Sequence, residues 1–249
     1  MPLQIIRQPT TYDVCIVGSG AGGGMAAKAL CEAGANVALI EAGQMWDAAK
    51  DSKMMAWAYD SPRRGGPTPA RPFGEFDGCI GGWDLDGEPY TMAPGTTFDW
   101  FRARMLGGRP NHWGRISLRF GPDDFRRHSL DGLGDDWPIS YDDLKPYYDT
   151  LDRLVGIFGS AEGLPNEHFS TAAPAALLRA ADQAGLRSAP RPVYPVAHVD
   201  CQAHDVKNLF IADGGPFVSN ADKNVTWAIL ALSMRTSEYI AQARNQRRL

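Results

Sequence analysis

A glycine-rich turn near the N-terminus constrains the fold of this 249-residue chain more than any other feature. Residues 12–17 form an apolar, β-branched run that predicts a buried parallel strand. Gly18, Gly20 and Gly23 then satisfy the spacing G-x-G-x-x-G. In this motif the first glycine permits a tight turn, the second lets the backbone approach a pyrophosphate, and the third allows close packing of helix and strand. The positive N-terminal end of the helix that follows favours a bound phosphate.

The residues after this turn complete a strand–helix–strand unit. The alanine-rich run 26–33 continues the helix, and Gly34 is placed to cap its C-terminus. Residues 36–40 predict a second strand, and Glu41 follows 23 residues after Gly18. That distance is close to the roughly 20-residue offset of the acid that binds an adenosine ribose. The unit predicts dinucleotide binding, with a tight turn in an unrelated α/β protein as the alternative.

The charge and hydropathy of the chain exclude two classes of partner. A net charge of −4 provides no electrostatic basis for binding nucleic acid or an anionic membrane. No apolar run approaches the ~20 residues of a membrane span, and residues 1–7 lack the features of a signal peptide. The sequence therefore predicts a cytoplasmic protein without a membrane span, and export to the periplasm through a partner subunit stays open.

The cysteines predict no metal site and no disulfide framework. Cys15, Cys31, Cys79 and Cys201 are far apart and form no C-x-x-C pair. Cys15 falls in the first predicted strand and Cys31 in the first predicted helix, where buried, reduced thiols are expected.

The middle of the chain contains a long excursion and a second glycine turn. Residues 44–98 are rich in glycine and proline and predict a surface loop that serves as a lid, with a short helix at 45–59. In residues 104–113, two adjacent glycines precede Asn111, His112 and Trp113, which offer hydrogen-bonding and aromatic groups. A Gly-Gly turn leading into a strand, with a structural histidine, is the alternative.

The second half predicts two helices and one strand. Ser140 and Asp143 form a capping pair for a short first turn, and Pro146 suits the first position of a longer amphipathic segment. Residues 208–213 predict a short buried strand. A helix follows with Asn224 near its start, where simple capping is one interpretation.

Together these stretches resemble the glucose–methanol–choline (GMC) family of FAD-dependent oxidoreductases, in a branch similar to bacterial glucose and gluconate dehydrogenase flavoprotein subunits and pyranose oxidases. The resemblance covers residues 12–165 and 200–243. It implies an α/β fold: a Rossmann-like FAD-binding domain with three-layer, ββα-type architecture. Residues 1–165 would form its N-terminal part with the excursion 44–98, residues 166–199 an atypical Ala/Pro-rich connector, and residues 200–249 its C-terminal part.

The resemblance implies FAD as cofactor and assigns its contacts by position. The ADP half would be held by Gly18, Ser19, Gly20, Gly23 and Glu41. The middle and the flavin ring would be lined by Arg104, Gly107, Gly108, Asn111, His112 and Trp113. The pyrophosphate would meet Asp213 and Gly214, and the flavin pyrimidine edge would meet Asn224, Val225 and Thr226. In pyranose oxidases the histidine of the His-Trp pair carries the flavin covalently, so His112 is a candidate attachment point.

The implied activity is oxidation of a CH–OH group of a sugar or alcohol by hydride transfer to flavin N5. Asn224 would be the catalytic residue that positions the substrate. A cytochrome subunit, a quinone or oxygen would take the electrons. An NAD-dependent dehydrogenase is also compatible with the glycine motif, but it leaves residues 104–113 and 213–226 unexplained.

The chain also departs from the family. It lacks counterparts of three family elements: the substrate-binding antiparallel sheet, a central strand of the FAD domain and the segment with the active-site histidine. Neither His198 nor His204 matches that histidine. Loss of a general base costs about 10²–10⁴ in rate. A catalytically silent flavin-binding fragment or subunit is therefore the alternative. A sheet without an interior strand exposes apolar edges, so we expect marginal stability or dependence on a partner.

Overall fold

The computed structural model describes residues 11–43, 45, 47, 81–82, 91–96, 102–112, 117–132, 134–157, 199–221 and 223–249. Nearly all of the connector at 166–199 and nearly all of the excursion at 44–98, including most of the helix predicted at 45–59, lie outside these residues. The described elements, in chain order, are β1 (Val14–Val17), α1 (Ala21–Glu32), β2 (Val37–Ile40), β3 (Gly81–Gly82), β4 (Arg102–Ala103), α2 (Arg127–Asp131), α3 (Tyr141–Val155) and α4 (Thr226–Asn245), with 3-10 helices at Arg109–His112 and Pro122–Phe125.

The predicted strand–helix–strand unit is present. β1 and β2 pair in parallel, from Val14 opposite Val37 to Val17 opposite Ile40. Between them α1 ends at a left-handed Gly34 with φ of 81°. The N–H groups of the two residues that follow Ala33 donate to carbonyls of the last helical turn, both at 3.0 Å. This arrangement is a Schellman motif, so the sequence signal for the helix end is confirmed.

The prediction that β1 is a buried strand is wrong. Val17 is 83% exposed, and Ile16 is the buried residue of the strand. Cys15 and Cys31 are exposed as well, which corrects the expectation of buried thiols. The reason is that β1 pairs with β2 alone in the described chain, and α1 covers one face of this two-stranded sheet. A strand becomes buried on both faces only between two layers of packed elements.

The main core lies among the helices of the second half. Phe120, Phe125, Trp137, Leu144 and Tyr148 are buried there against the first half of α4. Four aromatic rings pack edge to face with centroids 5.0–6.3 Å apart, namely those of Phe120, Phe125, Trp137 and Phe217.

The start of α3 follows the sequence signal, with one correction. The Asp143 carboxylate accepts hydrogen bonds from the N–H and hydroxyl of Ser140 at 2.7 and 2.8 Å, as the predicted capping pair requires. Pro146 does not begin a second segment, because it lies inside one continuous helix. At the sixth position of the helix this proline removes one intrahelical hydrogen bond. The buried residues Leu144, Tyr148 and Leu151 hold the helix in the packed core around it.

Residues 208–213 do not form the predicted buried strand. Phe210 makes a single antiparallel bridge to Gln202, and Leu209 is 51% exposed. The apolar run has no sheet to join in the described residues, so it forms only this local pairing. At the start of α4 the N-cap position is Val225, without a side-chain capping bond, so Asn224 precedes the cap.

Helix α4 packs along α1 and connects the two halves of the chain. The buried Ser233 hydroxyl donates to the Gly22 carbonyl at 2.7 Å. A Cβ at Gly22 would lie 1.7 Å from the carbonyl oxygen of Ala212.

None of the helices in the described ranges is both long enough and apolar enough to cross a membrane.

Candidate functional site

The first glycine turn has the geometry that its motif requires. Gly18 adopts φ of 89°, a conformation that favours glycine. A Cβ at Gly23 would lie 1.9 Å from the Gly18 carbonyl oxygen, so α1 packs directly on the turn. A Cβ at Gly20 would meet nothing within 4 Å, so the space above the start of α1 is open.

The N-terminus of α1 is suited to an anion. Its N-cap residue, Gly20, provides no side-chain cap, and its first turn contains no acidic residue. The first N–H groups of a helix have no intrahelical acceptor, and the helix dipole places positive charge there. A diphosphate can satisfy these groups from the open space above Gly20.

Glu41 is held beside the glycine turn by hydrogen bonds from Ser19 and Gly43. Its Oε2 accepts hydrogen bonds from the N–H and hydroxyl of Ser19 at 2.8 and 2.5 Å, and its Oε1 accepts one from the N–H of Gly43 at 2.7 Å. Burial alone raises the pKa of Glu41, but the hydrogen bonds from Ser19, Gly43 and Ala42 together hold it below its ordinary value. The acid is therefore charged and oriented at neutral pH.

The second glycine turn lies against the first. The Gly107 N–H donates to the Ser19 hydroxyl oxygen at 2.9 Å. A Cβ at Gly43 would lie 2.2 Å from the backbone nitrogen of Met105, and one at Gly108 would lie 3.3 Å from Cα of Gly20. Sequence reasoning missed Gly43. The signal that could have revealed it is a glycine directly after the Glu-Ala pair at the end of β2.

The rest of the second turn closes on itself. Gly107 and Gly108 have φ of 88° and 58°, and the Asn111 side-chain amide donates to the Leu106 carbonyl at 2.8 Å. Arg104 is half-buried at the start of this turn. The His112 side chain and all of Trp113 lie outside the described residues, so the attachment of flavin to His112 stays a prediction.

The segment before α4 lies beside the start of α1. Ala212 touches Gly22, and the exposed Asp213 accepts a hydrogen bond from the Gly215 N–H at 2.8 Å. Gly214 packs near the Ile229 side chain of α4, at 3.7 Å for an added Cβ. The structure therefore brings the predicted pyrophosphate contacts to the N-terminal end of α1, where the open space lies.

Two anchors flank residues 224–226. On one side Lys223 Nζ lies 2.9 Å from Asp124 Oδ2. On the other side Trp227 Nε1 donates to Asp152 Oδ1 at 2.9 Å. Asn224 itself is exposed, and Val225 and Thr226 are half-buried. Ser233, which contacts Gly22, lies two helical turns after Thr226 in α4, about 10 Å further along the helix axis.

Asp152 also belongs to a buried ion pair that the sequence did not reveal. The guanidinium of Arg119, 3% exposed, lies 2.5 Å from Asp152 and 2.7 Å from Asp149. Burial opposes the charge of Arg119, but hydrogen bonds to Asp152, Tyr141 and Asp149 raise its pKa above the ordinary value. Asp152 therefore holds α3 both to Arg119 and, through the Trp227 indole, to the start of α4.

Comparison with known proteins finds similarity to an FAD-binding domain and to named oxidases and dehydrogenases. A family model described as an FAD binding domain matches residues 13–70. Paromamine 6'-oxidase of Streptomyces fradiae is 32% identical over 191 residues, covering 73% of this chain and 30% of that protein. The 2-methyl-1,2-propanediol dehydrogenase of Mycolicibacterium austroafricanum is 33% identical, covering 59% and 25%. The fructose dehydrogenase large subunit of Gluconobacter japonicus is 29% identical, covering 61% and 28%.

These matches identify the cofactor of this chain as FAD. The chain spans less than a third of the length of these curated relatives. The fit of FAD to this structure rests on the uncapped α1 N-terminus, the open space at Gly20 and the fixed carboxylate of Glu41.

Proposed function

We propose that this chain is the FAD-binding part of a GMC-type oxidoreductase, with a Rossmann-like, three-layer FAD domain, that oxidises a CH–OH group of a sugar or alcohol. The observation that carries the proposal is the contact between the two glycine turns. Gly107 and Ser19, 88 positions apart, meet in a 2.9 Å hydrogen bond beside Glu41. The resemblance assigns both turns to one cofactor, and their contact in the fold supports that assignment.

The residues of the first turn would hold the ADP half of FAD. The free N–H groups at the start of α1 would bind the pyrophosphate. Each carboxylate oxygen accepts about two hydrogen bonds. Oε2 of Glu41 already accepts two from Ser19, whereas Oε1 accepts one from Gly43. A ribose hydroxyl would donate to the Glu41 carboxylate.

Bound FAD would accept the hydride removed from the substrate. Asn224, exposed at the start of α4 between its two anchors, would position the substrate next to the flavin. We assign no general base to this chain. A relative named as a large subunit supports the proposal that electrons leave through a partner, by a cytochrome or quinone route.

The second candidate is a catalytically silent flavin-binding fragment or subunit. One observation favours it: Val17 and Ile40 are 83% and 55% exposed on the sheet. Apolar residues exposed at this level on adjacent strands form a surface that a further structural layer would cover.

The experiment compares purified protein with a Gly20→Ala variant. The wild type is expected to retain FAD, seen as flavin absorbance after gel filtration, whereas Gly20→Ala loses it because a methyl group occupies the pyrophosphate space. Glucose, gluconate, fructose and methanol are then added anaerobically. Bleaching of the flavin supports the enzyme, and bound but unreactive FAD supports the fragment. A folded wild type that binds no FAD contradicts both.

A precipitation assay tests covalent attachment. If His112 carries the flavin, acid-denatured protein retains yellow colour in the pellet, and the His112→Ala variant releases it. Release of all flavin from the wild type overturns the attachment.

A further inference from the structure

The hydroxyl of Ser19 connects three separate segments of the chain. Ser19 is 7% exposed. Its hydroxyl donates to Glu41 Oε2 at 2.5 Å and accepts from the Gly107 N–H at 2.9 Å. One buried side chain therefore links the end of β2, the first glycine turn and the second glycine turn.

We propose that Ser19 is a positioning residue that couples Glu41 to the Gly107 turn, so that the acid for the adenosine end and the second turn adopt their binding geometry together. This inference rests on the proposed FAD site and assigns Ser19 a different role from direct contact with the cofactor. The resemblance alone had placed Ser19 among the residues that hold the ADP half.

The hydrogen-bonding capacity of serine supports this role. A hydroxyl has one hydrogen to donate and two lone pairs to accept. Glu41 uses the hydrogen, so none is left for a phosphate oxygen, and Gly107 uses one lone pair. A pyrophosphate accepts hydrogen bonds but does not donate them when ionised. The Ser19 side chain therefore has nothing to offer the phosphates.

The coupling also follows from what each partner would lose. Without the hydroxyl, Glu41 Oε2 keeps one donor, the Ser19 N–H, and Oε1 keeps the Gly43 N–H, so the carboxylate is held by backbone donors alone and loses its link to the second turn. The Gly107 N–H loses its acceptor, in a turn whose backbone lies close to Gly20 and Gly43. Both losses arise from one atom, which is why we expect the two segments to respond together.

The test uses Ser19→Ala in the full chain, with FAD affinity measured by flavin fluorescence and amide hydrogen exchange measured for peptides within residues 104–112. We expect FAD binding about tenfold weaker, as for loss of one hydrogen bond to a charged group, and faster exchange in the second turn. Ser237→Ala is the matched control, because its buried hydroxyl bonds the Ser233 carbonyl within α4. It should leave FAD affinity unchanged.

A double-mutant cycle with Glu41→Gln separates positioning from contact. Coupling predicts that Ser19→Ala weakens FAD binding much less in the Glu41→Gln background than in the wild type. If the two fold-changes multiply and exchange in residues 104–112 is unaltered, the hydroxyl contacts the cofactor itself and the inference is overturned. Unchanged FAD affinity in Ser19→Ala also overturns it. A folded wild type without FAD instead contradicts the proposed function, and hydrogen exchange still reports the coupling.

Discussion

Two regions of the molecule are built in different ways. The cofactor end comprises β1, α1, β2 and the two glycine turns, and the helical core comprises residues 117–157 and α4. Around β1 and β2, the buried apolar cluster is small, consisting of Ile16, Ala26 and Leu30, and Val17 is 83% exposed. Among α3, α4 and the residues that precede α3, large aromatic and aliphatic side chains are buried, and Phe120 and Leu144 are 1% and 0% exposed.

The contrast shows which forces hold each region. The helical core buries large apolar surfaces, which is the main source of folding free energy. The cofactor end relies on hydrogen bonds from Ser19 and Gly43 to one carboxylate and on glycines that allow backbones to touch. Such contacts fix geometry but contribute little net stability. We therefore expect the helical core to determine the free energy of unfolding and the cofactor end to determine the affinity for FAD.

The largest expected effect comes from Phe120→Ala. The ring packs edge to face with Phe125, Trp137 and Phe217 at 6.3, 6.2 and 5.9 Å between centroids. Its removal leaves a cavity, and we expect the free energy of unfolding in urea to fall by roughly 3–5 kcal/mol. Val17→Ala at the exposed strand should change it by less than about 0.5 kcal/mol. Equal effects at both positions would remove the distinction between the regions.

The next largest effect on stability is expected for Gly22→Ala. A methyl group there would lie 1.7 Å from the Ala212 carbonyl oxygen, so backbone must move. We expect a loss of about 2 kcal/mol despite the better helix propensity of alanine. Gly20→Ala should leave stability nearly unchanged but abolish FAD retention. Thermal melts of the two variants with and without FAD measure the stability of each protein and its binding of FAD. A Gly22→Ala protein as stable as the wild type would show that α1 and residue 212 do not pack as described.

The pH dependence of the cofactor end should follow Glu41. Its folded pKa lies below the ordinary value of 4.5, so its stabilising contribution is complete above pH 4.5 and is lost as pH falls through the lower folded value. Glu41→Gln should cost about 1 kcal/mol at neutral pH and reduce the acid sensitivity of stability. Urea titrations from neutral pH downward test this, and an unchanged acid profile would contradict it.

The smallest expected effect lies in the helical core. The Tyr147 hydroxyl donates to Glu238 and joins α3 to α4. Burial first, and then this bond, raise the pKa of Tyr147 to about 12 from its ordinary 10.0. The stabilisation is therefore complete below pH 10.0 and is lost as pH rises towards 12.

Tyr147→Phe should cost about 0.5–1 kcal/mol near neutral pH and flatten this alkaline slope. The half-exposed Tyr12→Phe, at 47% exposure, is the control and should change stability by less than about 0.5 kcal/mol. An unchanged free energy of unfolding and an unchanged alkaline slope in Tyr147→Phe would show that the hydroxyl does not stabilise the helix pair.

Local signals predicted local structure well. The order of β1, α1 and β2, the helix end at Gly34 and the capping pair Ser140–Asp143 all depend on residues within a few positions of one another. The glycine spacing likewise predicted the tight turn at Gly18, where φ is 89°. Backbone sterics and short-range hydrogen bonds decide these features, and both are encoded in adjacent residues.

Long-range features were predicted poorly for the complementary reason. The strand predicted at 208–213 is a single bridge, because an apolar run becomes a strand only if a sheet is present to pair with it. The role of Gly22 among three adjacent glycines was not predicted either, since the Ala212 carbonyl that it accommodates is distant in sequence.

For this protein, the sequence by itself determined the first glycine turn and the acid at the end of β2, and it predicted which residues are available to FAD. Only the tertiary structure decided three contacts between distant segments. The Gly107 N–H donates to the Ser19 hydroxyl, the Met105 backbone packs against Gly43, and Ser233 of α4 donates to the Gly22 carbonyl. The physical reason is range. Conformational preferences act within a few bonds, whereas a binding site forms where distant segments are brought into contact by burial of a shared core.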